Sequence, residues 1–387
     1  MTANSVKKKI IIIGPTYPYR GGNSLFVTYL YHSLINSFEV KIYNYKLLYP
    51  SILFPGTTQY DKSEQTITAP SQRIVNSINP FNWFATAAKI KKEKADLIVF
   101  DWWHPFFGLC HGVITLLIKK NYKNKILFIT ENVISHEANF IDKLLTKIGL
   151  SNASKFLTLS TVVENDVKQY SKSKKTYRSE LPVYDCYQKA KPEDLKKLKD
   201  EFNIQNDDLV LLFFGYVRKY KGLDILINAM NNILKIKPNT KLFIVGEFYD
   251  SESNYTSQIK NLNLQENVFV INQFVPNEEV AKYYEVSDVV ILPYRSATQS
   301  GILNVAYGYK KPVIVTRVGG LADFVKEGFT GFVVEPNSAT EIADGVNKFL
   351  DLRDEVNFSE EIEKYNSNNS FIKINQVFVD ILNDSEN

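Results

Sequence analysis

Cysteine is nearly absent from this sequence of 387 residues, Cys110 and Cys186 being the two. Two thiols cannot build a disulfide framework, and with no cleavable leader at the N-terminus they point to a reducing compartment. Histidine is scarce too, at four residues, and no Cys/His cluster has the spacing of a zinc site. Glycine (17) and proline (14) are too few for a collagen-like or low-complexity chain. The longest apolar run of the first half, Pro105 to Ile118, is broken by His111 and falls short of the ~20 residues that cross a bilayer. The protein therefore reads as soluble or peripherally bound. The G-x-G-x-x-G and P-loop signatures are also missing, which disfavours a nicotinamide cofactor and a phosphate-cradling lysine loop.

What remains is an ordinary globular composition, 44% hydrophobic and 23% charged, long enough for two domains. The net charge of +4 hides an asymmetry: residues 1–190 hold 25 Lys/Arg against 13 Asp/Glu, the rest 21 against 29. Basic runs at Lys7-Lys8-Lys9, Lys89 to Lys94, Lys119-Lys120 and Lys172 to Lys175 suit an anionic membrane or substrate, or are simply solvated helix faces.

Lys9 to Ile13 is an uninterrupted β-branched run ending in Gly14-Pro15, the pattern of a parallel strand buried on both faces. A glycine loop and a helix over Leu25 to Ile35 follow, with Asn23 or Ser24 as N-cap. Further strands are predicted at Val40–Tyr43, Leu97–Phe100 and Ile126–Thr130, with helical stretches between them. Leu48 to Pro80 has no clear period and reads as a long loop with short helical pieces. The pattern restarts at Leu209–Gly215, followed by a helix over Leu223–Ile236 and strands at Leu242–Gly246, Val268–Ile271, Val289–Leu292 and Val313–Thr316. Two doubly wound α/β domains result, with a hinge near Asp185 to Pro192. Open parallel sheets bind ligands beyond the carboxyl ends of their strands, so a ligand is expected in the cleft between the two.

Three loops at strand ends carry candidate chemistry. Gly215 to Gly222 holds Arg218, a planar fork for phosphate oxygens, and Lys221, a point charge, before a helix start; the alternative is an exposed basic turn. Pro293 to Gly301 gathers Thr298, Gln299, Ser300 and Gly301 before a helix over Ile302 to Tyr309, either to cradle a phosphate or as a plain N-cap. Gly21 and Gly22 let a ligand rest on the backbone, or are turn glycines. His32 lies inside a helix and reads as structural. His104 and His136 lie at strand ends of the first domain, where Asp101, Glu131 or Glu137 could orient an imidazole that bonds a substrate hydroxyl.

The string Phe214-Gly215 to Asp224, then Ile244-Val245-Gly246-Glu247, then Val318-Gly319-Gly320-Leu321 with Gly328 to Val334, resembles the C-terminal domain of glycosyltransferase family 4, and the opening strand with its Gly21-Gly22 loop resembles that family's N-terminal domain. The resemblance covers nearly the whole chain. It implies the GT-B fold, two Rossmann-like domains facing a central cleft: 1–186 on the acceptor side, with 366–387 crossing back to it, and 187–365 on the donor side. A nucleotide-diphosphate sugar donor, retention of configuration and no cofactor or metal are implied with it. Arg218 and Lys221 match the pair that neutralises the donor pyrophosphate, although the family arginine usually follows the glycine directly, where this chain has Tyr216. Gly22 matches the phosphate loop, and His104 the histidine that contacts the transferred sugar. Glu247, Thr298 to Gly301, and Phe274 with Val275 fall on the donor side; main-chain contacts around Asn272 to Pro276 are expected to select the base. His136 and Glu137 fall on the acceptor side. The family's paired glutamates align near Ala297 and Val305, neither of them acidic, and Gln299, Ser300 and Asn304 are the nearest polar substitutes. The chain thus resembles a bacterial surface-polysaccharide subgroup that lacks the pair. The implied activity is hexosyl transfer to a glycan or lipid-linked glycan in surface polysaccharide or lipopolysaccharide synthesis, in the cytoplasm or on the inner face of the membrane, without nucleic acid. The missing glutamates leave a non-catalytic nucleotide-binding or recruiting subunit as the alternative, beside a same-fold epimerase or phosphorylase.

Overall fold

The computed structural model describes residues 7–54, 56–64, 66–133, 139–184 and 188–384. They form two compact units, the first from residues 1–61, 66–182 and 370–387, the second from 62–65 and 183–369. The division falls at Pro182/Val183 and Asn369/Ser370, earlier and later by four residues than the sequence divides it. Of the predicted hinge, residues 185–187 lie outside the described residues.

The first unit is a seven-stranded parallel sheet of β1 (Lys9–Ile13), β2 (Glu39–Leu47), β3 (Ser71–Asn76), β4 (Leu97–Trp102), β5 (Ile126–Thr130), β6 (Lys155–Thr158) and β7 (Lys175–Arg178), in the order β3-β2-β1-β4-β5-β6-β7. Its central strand explains the apolar run. Ile11 and Ile13 enter one core layer with Trp83, Phe107 and Ile114, while Ile10 and Ile12 enter the opposite layer with Phe26, Leu30 and Phe378. With both faces buried, period-two alternation has no reason to appear. The helix Phe371–Asn383 completes the second layer through Ile374, Phe378, Ile381 and Leu382, and its carbonyl at Ile381 accepts from Lys155 at 3.0 Å.

β3 and the strands β6 and β7 were not legible in the sequence. β3 and β7 are the sheet edges, and their half-exposed strings SQRIVN and KTYR carry too few apolar residues to signal a strand. The first helix starts at Gly22, three residues earlier than its apolar spacing predicts, and is capped by Gly21 rather than by Asn23 or Ser24. Gly21 has φ of 107°, a conformation that favours glycine, and the Asn23 amide is used elsewhere.

The second unit is a six-stranded parallel sheet of β8 (Leu209–Phe214), β9 (Thr240–Val245), β10 (Val268–Ile271), β11 (Val289–Leu292), β12 (Val313–Thr316) and β13 (Gly331–Val334), in the order β10-β9-β8-β11-β12-β13. Leu209, Leu211 and Phe213 pack on one face, Val210 and Leu212 on the other. In each unit the strand order reverses beside the first strand, between β1 and β4 and between β8 and β11. The loops leaving those strands therefore diverge to opposite sides, and the crevice they leave is where open sheets take ligands.

Candidate functional site

At the β8/β11 switch point the chain leaves β8 through Gly215 (φ 99°), makes a short 3-10 turn over Lys219–Lys221 and enters the helix Leu223–Ile236 through Gly222 (φ 67°). Gly222 is fixed by space as well as by φ, since a Cβ there would stand 2.0 Å from the carbonyl oxygen of Pro293 in the loop leaving β11. Gly319 is held likewise, its Cβ position 1.4 Å from the Ala297 oxygen. The two candidate loops of this unit thus touch through backbone. Arg295 binds them further: its guanidinium donates twice to the Asp224 carboxylate, both at 2.7 Å, and once to the Lys219 carbonyl at 3.0 Å.

Lys221 is 6% exposed, with its Nζ 5.5 and 5.9 Å from the ring centres of Tyr294 and Tyr216. Among the described residues the ammonium has neither a hydrogen bond nor an ion pair. Burial, reinforced by the nearby Arg218 charge, pulls its pKa from 10.5 down to about 7. Arg218 is half-buried, its guanidinium 5.0 Å from the Tyr249 ring centre, and Tyr249 stacks on Tyr216 at 4.8 Å. Tyr216, which takes the place of the family arginine, therefore helps build the platform under Arg218. Neither cation faces a carboxylate among the described residues, so the pair has the character of an anion clamp.

In the second loop Thr298 and Ser300 are buried. Ser300 does not cap the helix Gly301–Gly308 with its side chain, contrary to the plain N-cap reading; its hydroxyl lies 3.3 Å from the Tyr294 hydroxyl. The helix is one residue earlier than predicted. Among the described residues the Gln299 side-chain Oε1 is buried without a partner. Gly301 and Gly22 share a property: a Cβ at either meets nothing within 4 Å, so the fold itself does not demand glycine there. Ala297 belongs to the core, and Asn304 is 1% exposed. Of the three polar substitutes, Gln299 is the one with an idle acceptor. Glu247 is buried and its carbonyl accepts from Val217 at 2.9 Å. The Asn272 side chain is engaged by Phe248 and Glu252, Phe274 is half-buried, and Val275 is a core residue, so only the backbone of Val275 can meet a ligand.

In the first unit, His104 follows β4 and caps the turn Pro105–Phe107, its Nδ1 accepting from the Phe106 amide at 3.1 Å. An accepting Nδ1 puts the proton of the neutral ring on Nε2, which is then a donor. Of the expected carboxylate partners, Asp101 and Glu131 do not take part. Among the described residues both Asp101 oxygens are buried without a partner, and Glu131 accepts from the Asn23 side-chain amide at 2.8 Å. Burial raises the pKa of both carboxyls, and the repulsion of Glu131 adds to it at Asp101. His136 and Glu137 lie outside the described residues. His32 bonds the Thr68 carbonyl at 2.9 Å, and His111 is a core residue bonded to the Tyr45 hydroxyl at 2.8 Å, its pKa lowered to about 3 by burial. Among the described residues no group of three or more His, Cys, Asp or Glu converges on a metal position, and no helix is long and apolar enough to cross a membrane.

The sequence signal missed Arg295 and Asp224 as a pair, because 71 positions separate them. It also missed the aromatic stack Tyr216–Tyr249.

Residues 194–369 match the family model described as glycosyl transferases group 1. The lipopolysaccharide 1,2-N-acetylglucosaminetransferase of Salmonella typhimurium is 27% identical over 42% of this chain and 44% of its own length. The N-acetyl-alpha-D-glucosaminyl L-malate synthase of Bacillus anthracis is 23% identical over 88% of this chain and 87% of its own. Among solved structures, Anabaena HepE in complex with UDP superposes with a TM-score of 0.73 at 16% identity, covering 97% of this chain and 100% of that one. WaaG, a glycosyltransferase involved in lipopolysaccharide biosynthesis, gives 0.65 at 15%, covering 97% and 99%.

Proposed function

We propose that this chain, a GT-B glycosyltransferase of the group 1, family 4-like type, transfers a sugar from a nucleotide-diphosphate sugar, with retention and without a metal, to a glycan or lipid-linked glycan in surface polysaccharide or lipopolysaccharide synthesis. The observation that carries the reading is Lys221, a buried ammonium with no anion facing it, beside Arg218 at the switch point of the second unit. Placing a cation there is costly in the free protein, and a diphosphate repays that cost on binding. The relatives named for lipopolysaccharide support the pathway, and the HepE structure with UDP supports the donor class.

In this reading Lys221 and Arg218 hold the donor diphosphate and stabilise the charge that grows on its leaving oxygen as the bond to the sugar's anomeric carbon breaks. The same oxygen takes the proton of the attacking acceptor hydroxyl, and the new glycosidic bond forms on the face the diphosphate leaves. His104 donates from Nε2 to a hydroxyl of the transferred sugar. Gly22 and Gly301, where no protein atom requires a glycine, admit the phosphates to the backbone amides. Gln299 accepts from the sugar in place of the missing glutamate. Glu247, Thr298 and Ser300, with the backbone of Phe274 and Val275, complete the donor side.

The test is thermal stabilisation by UDP, GDP, ADP, CMP and dTDP without added metal, wild type beside Lys221→Ala, followed by a product assay with the sugar donor of whichever base binds. A ligand at 100 times its Kd adds about 2.7 kcal/mol of stability. A base-selective shift lost in the variant, with product formed, is expected. Binding without product in any acceptor extract makes the non-catalytic subunit, which the alanine at 297 favours, the better reading. No shift at all overturns the donor site.

A further inference from the structure

Two arginines stand beside the donor loops of the second unit, and they are held in opposite ways. Arg295 is fixed by the Asp224 carboxylate and the Lys219 carbonyl, so its charge is matched and its donors are engaged. The Arg218 guanidinium has no hydrogen bond or ion pair among the described residues. What lies against it is the ring of Tyr249, whose centre is 5.0 Å from the Arg218 Cζ. A carboxylate in that place would cancel the charge that a diphosphate has to meet. An aromatic ring attracts the cation through its face and leaves the N–H groups at the edge of the guanidinium plane.

That ring is itself fixed through backbone. Beyond the ends of β8 and β9 the pairing of the two segments resumes at an isolated bridge, Val217 beside Phe248. The Val217 amide donates to the Glu247 carbonyl at 2.9 Å and the Tyr249 amide to the Val217 carbonyl at 3.0 Å. Val217 is a core residue and Phe248 packs against the same core, so the alternation of extended chain turns Tyr216, Arg218 and Tyr249 to the other side. The Asn272 side chain accepts from the Phe248 amide at 3.0 Å and donates to Glu252 at 2.7 Å, which braces the turn that carries Tyr249. Tyr216 stacks on Tyr249 at 4.8 Å, and its ring centre lies 5.9 Å from the Lys221 Nζ. The two rings therefore run from one cation to the other. The backbone closes the same interval, the Lys221 amide donating to the Arg218 carbonyl at 2.9 Å.

We infer that Tyr249, backed by Tyr216, is the positioning residue of the diphosphate clamp: it holds the Arg218 guanidinium at a set distance from Lys221 and leaves its N–H groups for phosphate oxygens. The inference rests on the donor site proposed above and deepens it. Without the ring, a long side chain with several rotatable bonds swings into solvent, and the two cations no longer keep the spacing that distinguishes two phosphates from one.

The test is calorimetric titration of the full chain with UDP, GDP, ADP and dTDP and, for the base that binds, with the corresponding monophosphate. Tyr249→Leu keeps apolar bulk and removes the ring; it should weaken the diphosphate about two- to thirtyfold, the range of one cation–π contact, and the monophosphate less. Tyr249→Phe keeps the ring and should bind within about twofold of wild type. Tyr216→Leu should show the same selective loss at smaller size, and it carries the test where Tyr249→Leu does not fold. In an Arg218→Gln background Tyr249→Leu should weaken the diphosphate no further, since the group it positions is gone. A tyrosine that merely packs would lower the melting temperature and both affinities alike, in either background, and that result overturns the inference. So does a Tyr249→Phe variant that loses as much as Tyr249→Leu, or a wild type that binds a diphosphate which Tyr249→Leu binds equally well. A wild type that binds none of the four diphosphates overturns the donor reading, and the inference with it.

Discussion

Lys221→Met should make the free protein more stable and the donor site useless, and both effects follow from the same ammonium. In the unfolded chain the amine titrates at the ordinary 10.5, in the folded chain at about 7. Each pH unit between is worth about 1.4 kcal/mol, so an upper bound for the cost of burying the charge at pH 7 and below is about 5 kcal/mol, and about 2–5 kcal/mol is the expected range. Between pH 7 and 10.5 the unfolded chain carries one proton more at this site than the folded chain. Wild-type stability therefore climbs with pH across that window, and above it the cost is gone. Methionine fills a similar volume without the charge, so the variant should exceed wild type by about 2–5 kcal/mol at pH 7, with the gap closing toward pH 10. Urea unfolding followed by circular dichroism at pH 7 and pH 9.5 reads this directly, and repeating it with a saturating nucleoside diphosphate reads the second effect, a ligand-induced gain present in wild type and absent in the variant. A variant less stable than wild type at pH 7, or a gap that does not shrink with pH, refutes the account of Lys221 as a cation held without its anion. A variant that keeps the nucleotide gain refutes its role in the clamp.

Three further expectations are independent of that one. His104→Asn preserves an acceptor for the Phe106 amide but not the Nε2 donor, so melting should move little while kcat falls about 100-fold; an equal loss of stability and activity would reduce His104 to a cap. Gly222→Ala forces a Cβ to within 2.0 Å of the Pro293 oxygen at φ 67°, and should cost more than about 2 kcal/mol in urea unfolding, with donor affinity lost in parallel. Glu131→Gln removes one of two buried carboxyls whose pKa values are raised by burial, that of Asp101 also by the charge of Glu131. Such groups weaken the folded state as pH rises from the unfolded carboxylate range toward their folded values, so the variant should lose part of the wild-type decline in stability between pH 5 and pH 8.

Much of the fold was legible because the central strands speak plainly. Ile10 to Ile13 and Leu209 to Phe214 are apolar on every residue, and only a strand sandwiched between two layers tolerates that. The edges were silent: Ser71–Asn76 needs its neighbour β2 to become a strand, and nothing local announces that pairing. At the site, Lys221 and Arg218 were readable from their position between a strand and a helix. That Lys221 faces tyrosines and no carboxylate was not readable, because Tyr294 reaches it from another loop. The pairing of Arg295 with Asp224, and the closeness of Gly319 to Ala297, are long-range in the same sense. Asp101 and Glu131 were read as partners of His104 because they share a sheet edge with it; the backbone amide of Phe106 takes the ring instead.

The helix Phe371–Asn383 gives the chain an order of assembly. Phe26, Leu30 and Leu34 share their core layer with Ile374, Phe378 and Ile381, so the first unit is opened ahead of the second and finished only by the last described helix. Everything from residue 183 to 369 is synthesised in between. At a ribosomal rate of about 5–20 residues per second that interval lasts roughly 10–40 s, during which one side of the first sheet has no cover. The nascent chain must hold that apolar layer out of trouble while the second unit, whose segments are nearly contiguous, is free to fold first. A fragment cut at Pro182 would keep the layer bare for good, which makes the first unit, although it leads the sequence, the part that cannot be made alone.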